Sequence, residues 1–411
     1  MAAATPAERL VVVGAGMAAA RLARELGERC PDRYAVTLLG AEAHPPYDRI
    51  GLSSLLAGER AADRLGLLSA TELARLDLRL GETVAGIDRD ARTVRLAGGR
   101  TLPYDRLVLA TGSQAFRLPL PGGDLTGVLT FRDLADCERL VAATGAAVVI
   151  GGGLLGLEAS YGLRRRGLDV TVLHLMPWLM ERQLDREAGA VLRSRIEAMG
   201  VRVLLGASTE TILGDEDGRV RALRLKDGRE IPTGLVVMAV GVRPETSLAR
   251  AAGLECGRAV LVDDTLATSD PRVSAIGECA EHRSLVYGLV QPAYEQAAVL
   301  ARRLAGEDAH YQGSVTYTSL KVSGVPVFSA GEVADEAPGE SLLLRDLRLG
   351  IYKRLLLRND RLVGAVLVGE VTDGAWYAEL IRAGTDVAAM RDLLAFGRAF
   401  AEPAPSLDLA A

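Results

Sequence analysis

The sequence predicts an α/β fold: two parallel-sheet domains of similar construction followed by a C-terminal α+β domain. Three observations predict it. The apolar, β-branched run Leu10-Val11-Val12-Val13 leads into Gly14-Ala15-Gly16-Met17-Ala18-Ala19 and then a helical pattern. The run Ala147-Val148-Val149-Ile150 leads in the same way into Gly151-Gly152-Gly153-Leu154-Leu155-Gly156. Beyond about Tyr311 the pattern changes to closely spaced strands. Buried apolar strands alternating with helices mark parallel sheets, whereas strands followed by helices mark an α+β unit.

The elements follow in order. Residues 9–13 form the first strand, Met17 to Leu26 its helix, and Tyr34 to Leu39 the second strand. Residues 100–110 end a meander, with Leu107 to Ala110 as a buried strand. The Pro- and Gly-rich stretch Leu118 to Gly123 reads as an interdomain link. From Ala147 a second strand–helix–strand unit runs through a helix at Leu154 to Arg166 and a strand at Asp169 to Leu173. A meander around Val220 to Glu230 leads to the buried strand Leu235 to Val240. After Gly241-Val242-Arg243-Pro244 the chain is expected back in the first domain, for a strand at Val273 to Ile276 and a helix from near Pro292. Strands at Val315 to Val322, Val325 to Ala330, Ser341 to Leu344, Leu349 to Leu357 and Leu362 to Val368 precede two helices. The expected domains are 1–117 with 245–310, then 118–244, then 311–411.

Composition narrows the class. The 411 residues are 49% hydrophobic and 25% charged, which is globular composition. A net charge of −5 gives no electrostatic case for nucleic acid. Cys30, Cys137, Cys256 and Cys279 are too scattered for a CxxC dithiol, an iron–sulfur cluster or a zinc site, and the four His are equally dispersed. No metal is expected. The uncharged run Leu140 to Leu157 is interrupted by glycines, and Leu10 to Ala20 contains Gly14 and Gly16, so neither reads as a membrane span or a signal peptide. The expectation is a cytoplasmic enzyme.

The two glycine turns carry the chemistry. In a Rossmann-like unit the first glycine permits a tight turn and the second lets the backbone approach a pyrophosphate. The helix N-terminus then offers N–H groups and a positive dipole end to that anion. Gly14, Gly16 and Ala19 take these positions in the first unit, and Gly151, Gly153 and Gly156 in the second. Two such sites in one chain suggest two dinucleotides, most simply FAD and NAD(P)H. Glu42, just past the second strand, is the expected acceptor for the FAD ribose hydroxyls. In the second unit His174 stands where an NAD-selective site places a carboxylate. Arg164, Arg165, Arg166 and Arg182 lie near in sequence, so the choice between NADH and NADPH stays open.

Further strings resemble the two-dinucleotide flavoprotein disulfide-reductase superfamily. They are Ala110-Thr111-Gly112-Ser113, Ala239-Val240-Gly241-Val242-Arg243-Pro244, and Thr268 through Ile276-Gly277-Glu278. The resemblance implies that Ala110, Thr111, Gly112, Gly241 and Gly277 shape the cofactor sites. It also implies that Glu278, where the superfamily has Asp, faces the flavin ribityl chain. Within it, Pro46-Tyr47-Asp48-Arg49-Ile50-Gly51-Leu52-Ser53-Ser54, Leu179-Met180-Glu181-Arg182-Gln183-Leu184-Asp185 and Gly364 to Gly369 are similar to the FAD domain of NAD(P)H-dependent nitrite reductase large subunits. Ferredoxin and rubredoxin reductases share the Tyr-Asp-Arg segment but often carry Lys where this chain has Ser54. By resemblance, that Lys pairs with the Glu after the second fingerprint, so Glu158 is expected to lack that partner.

The resemblance implies a chain that takes hydride from NAD(P)H onto FAD and passes electrons to a separate acceptor. That acceptor would be an iron–sulfur, sirohaem, molybdenum-enzyme or rubredoxin-like protein of a nitrite or nitrate reductase system. Arg49, Ser54 and Glu158 are the residues expected to shape the reacting centre. A second reading is a rubredoxin or ferredoxin reductase for another pathway. A third, of a different class, is a flavoprotein whose redox state switches a binding contact. The C-terminal domain either docks the partner or forms a homodimer.

Overall fold

The structure of the protein is a computed structural model that describes residues 7–314, 317–322 and 324–402. The chain divides into two compact units. One comprises Met1–Leu52, Arg60–Gln114 and Val242–Ser314; the other comprises Ser53–Glu59, Ala115–Gly241 and Val315–Ala411.

The first unit is built on β1 (Glu8–Val13), α1 (Met17–Arg29) and β2 (Tyr34–Gly40). Its five-stranded sheet runs in the order Val273–Ala275, Arg106–Leu109, β1, β2, Asp77–Leu80, with every pair parallel. Leu10 to Val13 are buried because a central parallel strand is covered on both faces, which is why the run shows no polar alternation. α1 buries Ala19, Leu22, Ala23 and Leu26, a stripe at helical spacing. It packs on the helix Val290–Leu304, whose buried Ala293, Ala297 and Ala301 permit close approach. That helix begins ahead of Pro292, so the proline lies in the first turn, where its missing N–H costs nothing. A separate antiparallel meander, Val84–Asp88, Thr93–Leu96 and Thr101–Pro103, completes the unit.

The second unit repeats this plan with β3 (Ala146–Ile150), α2 (Leu154–Arg165), β4 (Asp169–His174) and α3 (Arg186–Ala198). The sheet order is Arg202–Leu205, β4, β3, Leu235–Met238, Val128–Thr130, again all parallel. Its last edge strand precedes β3 in sequence, whereas the corresponding strand of the first unit comes late. The stretch Leu118 to Gly123 is packed rather than free. Leu118 and Leu120 lie on the core around Val236 and Met238. The Ile212 N–H donates to the Pro121 carbonyl at 2.9 Å.

The C-terminal sheet is antiparallel, in the order Tyr317–Val322, Val325–Gly331, Arg361–Val368, Ile351–Arg358, Glu340–Asp346. Positions 315–316 of the expected first strand lie outside the described residues. Helix Gly374–Ala383 covers one face around Phe328, Leu355, Leu367, Trp376 and Tyr377. A run of 3-10 turns, Ala388–Phe396, and a one-turn α-helix, Arg398–Ala401, follow where a second helix is expected.

This sheet is tied to α3 through a buried carboxylate. Asp185 caps α3 by accepting from the Ala188 N–H at 2.8 Å, and it accepts from the Tyr352 hydroxyl at 2.9 Å. Arg354 stands 3.5 Å away. Burial pushes the Asp185 carboxyl above its ordinary value despite these donors. Tyr352→Phe is expected to destabilise the protein by about 1–3 kcal/mol, because it leaves a buried acceptor short of a donor. A urea midpoint indistinguishable from that of the parent protein would refute this.

Candidate functional site

The two glycine turns show the same division of labour. Gly14 has φ +111°, and a Cβ there would fall 2.1 Å from the Ala110 carbonyl oxygen, so no side chain fits. Gly151 has φ +121°, and its Cβ would fall 2.2 Å from the Ala239 oxygen. A Cβ on Gly156 would meet the Gly151 oxygen at 2.0 Å, which fixes the close helix–strand approach. In the first unit that third position is Ala19, fully buried. The middle glycines differ. A Cβ on Gly16 or Gly153 would meet nothing within 4 Å. Each is the N-cap of its helix and supplies no side-chain cap. Both helices therefore start with uncapped N–H groups over open space, at the positive end of the dipole. No packing contact among the described residues demands glycine at these two positions. A phosphate brought close to the backbone does, so the residues present fit a bound dinucleotide pyrophosphate in each unit.

Around the first turn, sequence-predicted residues converge. Glu42 accepts from the Tyr47 hydroxyl at 2.7 Å and pairs with the Arg49 guanidinium. That guanidinium also lies 5.0 Å over the Tyr47 ring. Glu42 and Arg49, expected at different parts of the cofactor, thus form one cluster. Tyr47, itself buried, is a third member that residue type and spacing do not mark. Asp48 caps the next turn, Arg49–Gly51, through the Ile50 N–H at 3.0 Å. Ala110 closes β1's neighbour by donating its N–H to the Val13 carbonyl. Thr111 and Gly112 are fixed by Glu245: the Thr111 hydroxyl donates to its carbonyl at 3.0 Å, and its N–H donates to the Gly112 carbonyl. Gly277, at φ +81°, donates its N–H to the buried Gln296 side chain at 2.7 Å. Glu278 follows on a 3-10 turn and accepts from the Ser113 hydroxyl at 2.6 Å.

In the second unit, Glu158 lies on α2 and hydrogen-bonds with Ser53. By sequence Ser54 takes the critical position; the side chain that reaches Glu158 is its neighbour, Ser53. Ser54 lies in the short helix Leu52–Leu56, and its carbonyl accepts from the Glu59 N–H at 2.8 Å. Burial pushes the Glu158 carboxyl up to about 7, only partly offset by Ser53. Gly241, at φ +107°, accepts from the Phe116 N–H at 2.9 Å. Arg166, at the end of the basic run, donates to the carbonyls of Leu56 and Leu55, so it anchors the Ser53–Glu59 segment. His174 ends β4 and is buried against the glycine turn.

The family pattern described as pyridine nucleotide-disulphide oxidoreductase matches residues 8–297. The chain belongs to the pyridine nucleotide-disulphide oxidoreductase family. A second pattern, the rubredoxin NAD+ reductase C-terminal domain, matches residues 317–385. Nitrite reductase [NAD(P)H] of Bacillus subtilis is 45% identical over 92% of this chain and 48% of its own length. The assimilatory nitrate reductase electron transfer subunit of the same organism is 40% identical over 89% of this chain and 48% of its own. The chain thus spans about half the length of these two relatives. The chlorobenzene dioxygenase ferredoxin reductase component of a Cupriavidus species is 36% identical over 92% of this chain and 93% of its own. Among solved structures, the covalent putidaredoxin reductase–putidaredoxin complex superposes with a TM-score of 0.85 at 27% identity, covering 95% and 96% of the two chains.

This pyridine nucleotide-disulphide oxidoreductase has no cysteine pair among its described residues. Burial raises the Cys279 thiol, which sits 3.4 Å from the Leu109 carbonyl, and pushes Cys137 up to about 11. Both are packing residues by environment. Among the described residues no group of three His, Cys, Asp or Glu could hold a metal. No described helix is long and apolar enough to cross a membrane.

Proposed function

We propose that the chain is a cytoplasmic, FAD-dependent NAD(P)H oxidoreductase that passes electrons to a separate redox protein of a nitrite or nitrate reductase system. One observation carries the reading: two glycine turns in one chain, each with its outer positions set by packing and its middle glycine facing open space. The relatives named for nitrite and nitrate reductases support the choice of system. Bound FAD would accept hydride from the reduced nicotinamide and release electrons one at a time.

The chain's own residues bind and orient. The turn at Gly14–Gly16 and the α1 N-terminus hold the FAD pyrophosphate. Glu42, fixed by Tyr47 and Arg49, presents its carboxylate to the ribose hydroxyls. Ser113 and Glu278 offer a hydroxyl and a carboxylate toward the ribityl chain. The turn at Gly151–Gly153 and the α2 N-terminus hold the NAD(P)H pyrophosphate. Glu158, with Ser53, orients the nicotinamide end. Hydride transfer needs no acid–base residue, so orientation is the protein's main contribution.

The ferredoxin reductase relative and the rubredoxin reductase C-terminal match support a second reading, in which the acceptor is a ferredoxin or rubredoxin of another pathway. Anaerobic stopped-flow with NADH and then NADPH tests the core of both. Rapid bleaching of the flavin by one of them is expected. Bound flavin that neither coenzyme bleaches would refute the reductase reading. Onward transfer to an added nitrite reductase module, but not to rubredoxin or ferredoxin, would favour the first acceptor class.

A further inference from the structure

The second nucleotide turn carries a carboxylate that the strand-end rule misses. In dinucleotide folds an acidic residue at or near the end of the second strand reads the ribose 2′-hydroxyl and disfavours a 2′-phosphate. Here that position is His174, and its side chain turns inward, only 8% exposed. Its Nδ1 accepts from the Gly152 N–H at 3.0 Å. A nitrogen that accepts from a backbone N–H carries no proton, so the ring proton sits on Nε2. Nε2 stands 3.0 Å from a carboxylate oxygen of Glu181 and donates to it.

The loop after β4 is folded back to make this contact. Met180 takes a left-handed φ of +53°, rare for a residue with a side chain, and donates its N–H to the Gly152 carbonyl at 3.0 Å. Its own carbonyl then accepts from the N–H groups of Gln183 and Leu184. The Trp178 indole donates to the Leu184 carbonyl at 2.9 Å. Leu179 lies so close that a Cβ on Gly152 would be 2.6 Å from its Cδ2. The Gly152 N–H is thereby spent on the His174 ring and its carbonyl on the loop. The loop in turn places the half-buried Glu181 side chain, 24% exposed, at the strand end.

We propose that Glu181 is the residue that reads the ribose end of the nicotinamide coenzyme and selects NADH over NADPH, with His174 as its positioning residue. The inference rests on the reading that this turn binds NAD(P)H. The carboxylate accepts from the ribose hydroxyls and repels a 2′-phosphate at close range. The competing group is Arg182, exposed and adjacent, which would attract that phosphate instead.

The test uses the FAD-loaded protein and two redox-inert ligands, ADP-ribose and 2′-phospho-ADP-ribose, measured by calorimetry. The parent protein is expected to bind ADP-ribose at least about tenfold more tightly. Glu181→Gln should bring the two affinities within about threefold, chiefly by strengthening the phosphorylated ligand. Glu181→Asp should retain most of the discrimination. His174→Ala should lower the ratio although its imidazole touches neither ligand. Equal ratios in the parent and Glu181→Gln would overturn the proposal, as would tighter binding of the phosphorylated ligand that Arg182→Gln abolishes. Failure of both ligands to bind the folded, flavin-loaded protein would overturn the coenzyme-site reading itself.

Discussion

Gly16→Val is expected to leave the flavin-free protein as stable as the parent yet lower its affinity for FAD by about a hundredfold. The glycine's backbone is extended, with φ −89° and ψ −165°, a conformation open to residues with a side chain. A Cβ there meets no atom of the described residues within 4 Å. The added atoms project into the space from which a pyrophosphate would reach the α1 N–H groups, and a gap of that kind is worth several charge-assisted hydrogen bonds. Gly14→Ala makes the contrast. Its Cβ collides with the Ala110 carbonyl and its φ is left-handed, so this variant should also lose several degrees of melting temperature without any ligand. The flavin-to-protein absorbance ratio after purification and the apo melting curve separate the two effects. Stoichiometric flavin on Gly16→Val would refute the assignment of that turn.

Glu158 gives the second large effect, through pH. Its carboxyl is pushed from an ordinary 4.5 to about 7 by burial. The folded state therefore favours the protonated form more strongly than the unfolded chain does. Stability from this group is fully present below about pH 4.5 and declines as pH rises to about 7, beyond which the penalty is constant. Glu158→Gln stays neutral throughout. It should match the parent near pH 5 and be more stable at pH 8 by about 2 kcal/mol, a value reduced from the full shift because the group is partly open to solvent. Denaturant titrations of both proteins at the two pH values measure this, and an equal difference at both would sink the idea. The protonated-carboxyl infrared band, lost near pH 7 in the parent only, gives an independent reading.

The parts of the site that were legible in the sequence are those fixed by backbone necessity. Gly14, Gly151 and Gly156 stand where any side chain would strike a carbonyl, so residue type and spacing alone marked them. The buried parallel strands were legible for a similar reason, since a strand covered on both faces cannot afford polar residues. What escaped depends on where a side chain points. The sequence puts His174 at the coenzyme position but says nothing of its inward turn onto Gly152. Glu181 lies in a loop without periodicity, and only the left-handed Met180 returns it to the strand end. Ser53 and Ser54 are adjacent residues of one helical turn, about 100° apart, and chemistry alone does not say which faces Glu158. Tyr47 lay within a recognised string, yet its bond to Glu42 closes over the irregular stretch 43–46, which has no period to read.

The short segment Ser53–Glu59 interrupts the first unit's sequence and belongs to the second. Arg166 holds its carbonyls, the Tyr161 hydroxyl donates to Glu59 at 2.9 Å, and Gly162 leaves room for Leu56. The two halves are consequently interleaved at more than one place along the gene. A fragment cut from residues 115–241 alone would lack the cover over α2 and expose the flank on which Leu56 sits. Swapping this unit between related reductases, by recombination or in the laboratory, must therefore carry this small piece along with the larger one. A chimera that exchanges only the contiguous block inherits a mismatched seam at Glu158.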